Sequence, residues 1–204
     1  MRTGERSDAR DNRRRILAAA RHAFASAGPQ VSVREIARRA AVSVATVYRH
    51  FPSKESLVAE AFAEQLTTCR EIVAEGMAQP DPWDGFCLVV EKLMVLHARD
   101  QGFARAFALQ VFRPSELAEE RDRTLHDLAA LMRNAKEAGS LRRDVTLADV
   151  NMVLMANEGI TSPSTAAKVA AARRFAALIT QSFRAGPDNA PLPPTPRLAF
   201  PALG

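Results

Sequence analysis

The chain has 204 residues, 47% of them hydrophobic and 25% charged. That length suits one large domain or two small ones, and the composition excludes both wholesale disorder and a membrane bundle. The net charge of +5 is unevenly spread: residues 1–54 hold 12 Lys and Arg against 4 Asp and Glu, a net of +8, so the remainder carries −3. A regional excess of this kind marks a polyanion-binding module, with nucleic acid the first partner to consider and an anionic membrane surface the second. No apolar stretch reaches the roughly 18 residues of a spanning helix. Cys69 and Cys87 lack any CxxC or Cys/His partner, so neither a zinc site nor a disulfide framework is implied, and a reducing, cytoplasmic setting is expected.

Residues 1–12 read as a flexible basic arm. Glu5, Asp8 and Asp11 oppose a transit peptide, and Arg21 with His22 interrupts the apolar run of a signal peptide. From Arg13 onward the apolar spacing is helical and period-2 alternation is never sustained, so the expected fold is all-α with about nine helices. A first helix spans about Arg13 to Ala27, with Ile16, Ala20, Ala23 and Phe24 on one face, and stops at Gly28-Pro29. Ser32-Val33-Arg34-Glu35 forms a capping box that opens a second helix, stapled by Val31 and Ile36. A break at Ala41-Val42-Ser43 leads to a short third helix, Val44 to His50, capped by Ser43; the pair is a helix-turn-helix candidate.

Pro52-Ser53 starts a long helix from about Lys54 to Glu75, ended near Gly76. Asp81-Pro82-Trp83-Asp84 supplies an N-cap, a proline at the first helical position and an acid at the third; the inward face is then Phe86, Val90, Met94 and His97. A short helix around Phe103, Phe107 and Phe112 follows, then one opened by Pro114-Ser115-Glu116 with the stripe Leu117, Leu125, Leu128 and Met132, ended by Gly139. Thr146 caps a helix over about Leu147 to Glu158, and Ser162-Pro163 starts the last helix. Residues 186–204 are too proline-rich for a helix or central strand and read as a disordered tail, with a docked segment as the alternative. The expected organisation is an arm (1–12), a helix-turn-helix domain (13–53), a second helical domain (54–185) and the tail.

On a helical wheel Val47 and Phe51 share one side of the third helix and face Ala37 and Phe24, while Ala45 and Arg49 point away, flanked by Thr46 and Tyr48. That outward set fits a major groove: Ala and Thr methyls can touch thymine methyls, and a guanidinium can bridge two guanine acceptors. An ordinary exposed face would look the same on the wheel. Cations near helix starts, Lys54 on the long helix and Arg13, Arg14 and Arg15 on the first, oppose the macrodipole and become favourable once a phosphate sits there.

The stretch Val42-Ser43-Val44-Ala45-Thr46-Val47-Tyr48-Arg49-His50-Phe51, with Ser53-Lys54-Glu55 after it, resembles the DNA-binding domain of the tetracycline-repressor (TetR) family, over about Ile16 to Phe62. Ala41 and Ala45 stand where that family often has glycine. The resemblance implies that Tyr48, His50 and Lys54 hold the DNA backbone, that Val44, Ala45 and Thr46 enter the groove beside Ser43 and Arg49, and that Arg34 meets a phosphate or a base edge. It further implies a homodimer on a palindromic operator in double-stranded DNA, and release by a small ligand in the C-terminal domain.

For that second domain the candidates for lining a pocket for a small, largely apolar ligand are Met94, His97, Phe103, Phe107, Gln110, Asn151 and Met155, with Asn157 a further polar candidate. A solid core or a satisfied hydrogen bond is the competing reading for each. On the last helix Val169, Ala172, Ala176, Ile179 and Phe183, together with Val150, Met152 and Met155 before it, suit a four-helix dimer interface, with intrachain packing as the alternative. No phosphate-loop, nucleophile-elbow, metalloprotease or dinucleotide motif is present, and the histidines have no metal spacing; neither an enzyme nor a cofactor is expected. A constitutive DNA-binding protein and a thiol sensor remain the rivals to a ligand-released repressor.

Overall fold

The structure is a computed structural model, and it describes residues 2–27, 30–100, 103–104 and 118–195. Among these residues the fold is all-α, with eight helices: α1 (Arg2–Ala27), α2 (Val33–Arg39), α3 (Val44–His50), α4 (Lys54–Met77), α5 (Pro82–Arg99), α6 (Ala118–Glu137), α7 (Leu147–Glu158) and α8 (Thr165–Phe183). Of the short helix expected around Phe103, only Phe103 and Ala104 are described, and both are helical; Phe107, Gln110, Phe112 and the start at Pro114 lie outside the described residues.

α1, α2 and α3 close over one core. Ile16, Ala20, Ala23 and Phe24 of α1 meet Ile36 and Ala37 of α2, Val47 of α3, and Phe51, all buried. Leu57, Val58, Ala61 and Phe62 of α4 complete it. Burying a side chain such as Phe24, Phe51 or Phe62 contributes about 1.5–3 kcal/mol, which is what holds the two short helices in place. α4 is therefore shared between domains, and the expected boundary at Lys54 cuts through a core.

α5 is the central helix of the second domain, touching α4, α6, α7 and α8. Asp81 caps it by accepting from the Trp83 amide at 2.8 Å, and its inward face, Phe86, Val90, Met94 and His97, is buried as the spacing predicts. α4 and α5 cross at two glycines: a Cβ on Gly85 would stand 2.2 Å from the Gly76 carbonyl oxygen, and one on Gly76 would stand 2.3 Å from Val89 Cγ2. Gly76 is thus a packing residue inside α4, which runs one residue past it, and not the terminator expected from the sequence.

Two termini differ from expectation. Residues 2–12, expected as a flexible arm, are the first turns of α1; the segment lacks proline, and Asp11 pairs with Arg14 one turn on at 2.5 Å. The tail expected to be disordered follows a bonded path as far as residue 195. Ala185 N–H donates to the Ser140 carbonyl at 2.9 Å, Arg142 N–H to that of Phe183 at 3.0 Å, and Leu192 N–H to Asp144 Oδ2 at 2.9 Å. The Arg142 guanidinium grips both Asp144 and the Ala190 carbonyl. Proline denies a segment helix and sheet partners, but not hydrogen bonds to neighbouring side chains.

Candidate DNA interface and ligand cavity

The turn between α2 and α3 is a Schellman closure. Val42 N–H donates to the Ala37 carbonyl at 3.0 Å and Ala41 N–H to that of Arg38 at 3.2 Å. The motif needs a left-handed residue, and Ala41 takes that role with φ 53°, whereas the equivalent place after α6 is held by Gly139 with φ 74°. A Cβ there costs about 1 kcal/mol. Arg15 offsets part of this by donating from Nη2 to the carbonyls of Ala40 (2.6 Å) and Ala41 (3.1 Å).

Ser43 then caps α3, accepting from the Thr46 amide at 3.0 Å, with its hydroxyl 2.8 Å from that of Thr46. The cap fixes the direction in which α3 leaves the turn. Val47 and Phe51 point inward, and Val44, Ala45, Tyr48 and Arg49 stand exposed on the outer side, Tyr48 at 48%. Arg34 is exposed at the start of α2; Thr46, His50 and Lys54 are half-buried. Of the outward residues expected from the wheel, Ala45, Tyr48 and Arg49 are therefore exposed and Thr46 is partly covered.

Three local expectations change. Ser32 accepts from the Glu35 amide, but the Glu35 carboxylate turns to Arg38 and Arg39 instead of closing the box, and those bonds pull its pKa down to about 2. Arg13, Arg14 and Arg15 are not at a helix start, because α1 begins at Arg2; Arg13 pairs with Glu60 and lies 5.3 Å over the Phe51 ring. Arg13 ties α1 to α4, Arg15 ties it to the turn and Arg14 pairs with Asp11 within α1, so they carry no dipole argument for phosphate. His50 has a buried, unpaired Nε2, and burial, with Arg49 and Arg13 adding repulsion, lowers its pKa; the ring is neutral near pH 7 and brings no charge to DNA.

The second domain holds an apolar cavity among its described residues. α4 contributes Leu66, Cys69 and Val73; α5 contributes Leu93 and His97; α6 contributes Arg121, Thr124, Leu125 and Leu128; Leu147, Val150, Asn151 and Leu154 come from α7. Of the residues expected from sequence, His97 and Asn151 line it. Met94 and Phe103 are buried outside the lining, Met155 is exposed with its Sδ 3.6 Å from Asn151 Nδ2, and Asn157 holds the Met94 carbonyl at 3.0 Å. Sequence reasoning missed Arg121: it sits among acids and polar residues at the start of α6, and its burial becomes visible only when α4 and α7 close over it. Burial holds His97 neutral, with a pKa lowered to about 4, and pushes the Cys69 thiol up to about 12. Cys87 is raised as well, so neither thiol is poised to react.

The last helix corrects the interface expected there. Ala172, Ala176 and Phe183 are buried within the chain, Phe183 with its ring 6.3 Å from Phe86 of α5, and Val169 and Ile179 are half-buried. Of the expected set a single chain buries Val150 and leaves Met152 and Met155 open on α7, 44% and 41% exposed, beside Leu178 on α8, 55% exposed. The apolar residues of α8 form two stripes, and the inner one is taken by α5.

An all-α chain with a capped helix-turn-helix beside a cavity-bearing helical domain has the architecture of a DNA-binding regulator. Residues 16–61 match the family model "Bacterial regulatory proteins, tetR family", and residues 81–185 match that of the "Transcriptional regulator SbtR-like, C-terminal domain". The chain belongs to the TetR family of transcriptional regulators. Among solved structures it is similar to the TetR regulator SCO0520 of Streptomyces coelicolor, at 26% identity over 85% of this chain and 98% of that one, with a TM-score of 0.50. It shares the fold of SCO3833 from Streptomyces coelicolor A3 (22% identity, 81% and 89% covered, TM-score 0.64). It also shares that of FadR from Bacillus subtilis, solved with stearoyl-CoA (21%, 81% and 96%, 0.56). A comparison with curated proteins finds no match. No helix among the described residues is long and apolar enough to cross a membrane.

Proposed function

We propose that this regulator is a repressor that binds a palindromic operator as a homodimer and leaves it when a small, largely apolar molecule occupies the cavity. The observation that carries this reading is the double use of α4. Its first half packs into the DNA-binding core through Leu57 and Phe62, while Leu66, Cys69 and Val73 form one wall of the cavity. A ligand with different affinity for two positions of α4 would bias the helix-turn-helix with it. The presence of a cavity favours this over a constitutive DNA-binding protein, for which a filled core is expected.

On DNA, Val44, Ala45 and Thr46 enter the major groove with Arg49, Ser43 lies at its edge, and Arg34, Tyr48 and Lys54 hold the backbone; His50 contributes as a neutral ring. Two copies place their α3 helices about one turn, 34–36 Å, apart. The dimer forms on the outer face of α7 and α8 around Met152, Met155 and Leu178. Selection from a random duplex pool tests the reading directly: a palindromic consensus with half-sites about one turn apart is expected. A single non-repeated site, or no enrichment, would reject it. A hundredfold loss of operator affinity on ligand binding requires about 2.7 kcal/mol of coupling.

A further inference from the structure

Arg121 is 7% exposed and lines a cavity whose other described walls are Leu, Val, Cys, Thr, Asn and a neutral histidine. Its guanidinium is engaged along one edge only: Nε and Nη2 donate to Asp122 Oδ1 at 2.9 and 2.5 Å. Nη1 is buried with no partner. Leaving a charged donor unmatched inside apolar packing is costly, so such a group persists where something else completes it. The edge left open, with both Nη1 hydrogens and the second on Nη2, has the spacing of a carboxylate.

We infer that the cavity, about 40 Å³ as it stands and widening around its occupant, takes an apolar carboxylate, its carboxyl group seated end-on against Arg121 Nη1 and Nη2 and its hydrocarbon body laid between α4, α5 and α7. Leu66, Val73, Leu93 and Leu154 offer that body dry contact; the Thr124 hydroxyl donates to the Glu120 carbonyl at 2.9 Å and Asn151 Nδ2 reaches Met155 Sδ at 3.6 Å, so Arg121 is the donor left for the head. The charge count sets the class. Asp122 is half-exposed and water screens most of its charge, so Arg121 is the one net charge facing the described lining residues. One remaining cationic edge matches a monoanion, whereas a phosphate dianion would be left under-neutralised in a low-dielectric site. The inference rests on the cavity being the effector site proposed above and names the chemistry of its occupant.

The test is calorimetric titration of the intact protein with octanoate and 3-phenylpropionate, each beside its primary amide of nearly the same shape. At least one carboxylate is expected to bind ten times or more tightly than its amide. Arg121→Leu should abolish that preference while leaving amide binding intact or improved, and Arg121→Lys should restore part of it. Because the leucine variant removes an unmatched buried donor, its ligand-free melting temperature should hold or rise, which confirms folding before any titration. Equal affinity for acid and amide, no binding by either pair, or a preference that survives in Arg121→Leu would overturn the inference. Operator binding measured in the same mixtures separates this from the release mechanism. An acid that binds through Arg121 without weakening operator affinity sinks release alone, and an amide that binds and releases operator as well as its acid sinks the head-group assignment alone.

Discussion

The His97 imidazole stands edge-on to the Phe103 ring, centroids 5.5 Å apart at 86°. Phe103 lies 6.0 Å from Phe62, and Phe62 lies 5.9 Å from Phe24. A run of four rings thus joins the cavity wall to the core under the recognition helix. Packed aromatic contacts of this kind contribute about 0.5–1.5 kcal/mol each beyond their buried area.

Protonating His97 should therefore disturb both domains. Its pKa is about 4 in the folded chain against an ordinary 6.5, so between those values the unfolded chain holds more protons and stability falls as pH falls. The contribution is complete above about pH 7 and lost by about pH 4, on the order of 3 kcal/mol. Urea titrations across that window should show the slope, and His97→Gln should flatten it; an unchanged slope would mean that another group titrates there.

The α4–α5 crossing tolerates no side chain. Gly85→Ala drives a methyl onto the Gly76 carbonyl, a backbone atom that cannot swing aside, and should cost about 1–3 kcal/mol or more. Thermal melts will show it as a lowered midpoint, and a wild-type midpoint would mean that the helices separate easily.

Ala41→Gly acts in the opposite direction. Relieving a left-handed alanine should stabilise the chain by about 1 kcal/mol, less what the gain in unfolded-state entropy takes back. The same denaturation assay detects it, and a destabilised variant would show that the Arg15 bonds fully relieve the strain.

Phosphate and base contacts should separate by their salt dependence. Lys54→Ala is expected to weaken binding to all sequences and to reduce the salt slope by about 0.9 per lost contact, or about 1.8 per dimer. Thr46→Ala should relax preference at one base position with the slope intact. Filter binding over a salt series distinguishes the two, and an unchanged slope removes Lys54 from the backbone set.

For the dimer, Met152→Asp with Leu178→Asp places charges where a single chain is already open to solvent, so the fold should survive and the assembly should not. Sedimentation should give folded monomers; a dimer of unchanged affinity would place the interface elsewhere.

The DNA-binding half was legible because its signals are local: Ser43 and Ser53 cap where their sequence positions say, and Val47 and Phe51 turn inward on a period set within one helix. The cavity was less so. His97 and Asn151 announced themselves as polar residues in apolar surroundings, but Arg121 and Thr124 sit on a polar stretch, and only the closure of four helices decides that they face inward. The stripe on α8 misled for a related reason. Ala172, Ala176 and Phe183 do form a packing face, but periodicity cannot say whether the partner is α5 of the same chain or a second copy.

The glycine crossing also sets a mechanical ratio. With Gly76 locked against Gly85, α4 can tilt about that point as a stiff rod. Cys69 lies seven residues from the fulcrum, about 10 Å along the axis, and Lys54 lies twenty-two residues away, about 33 Å. Any sideways push at Cys69 would then be magnified roughly threefold at Lys54. Under the release mechanism proposed above, half an ångström of swelling at the cavity would become about 1.5 Å at Lys54, enough to pull a hydrogen bond there out of reach.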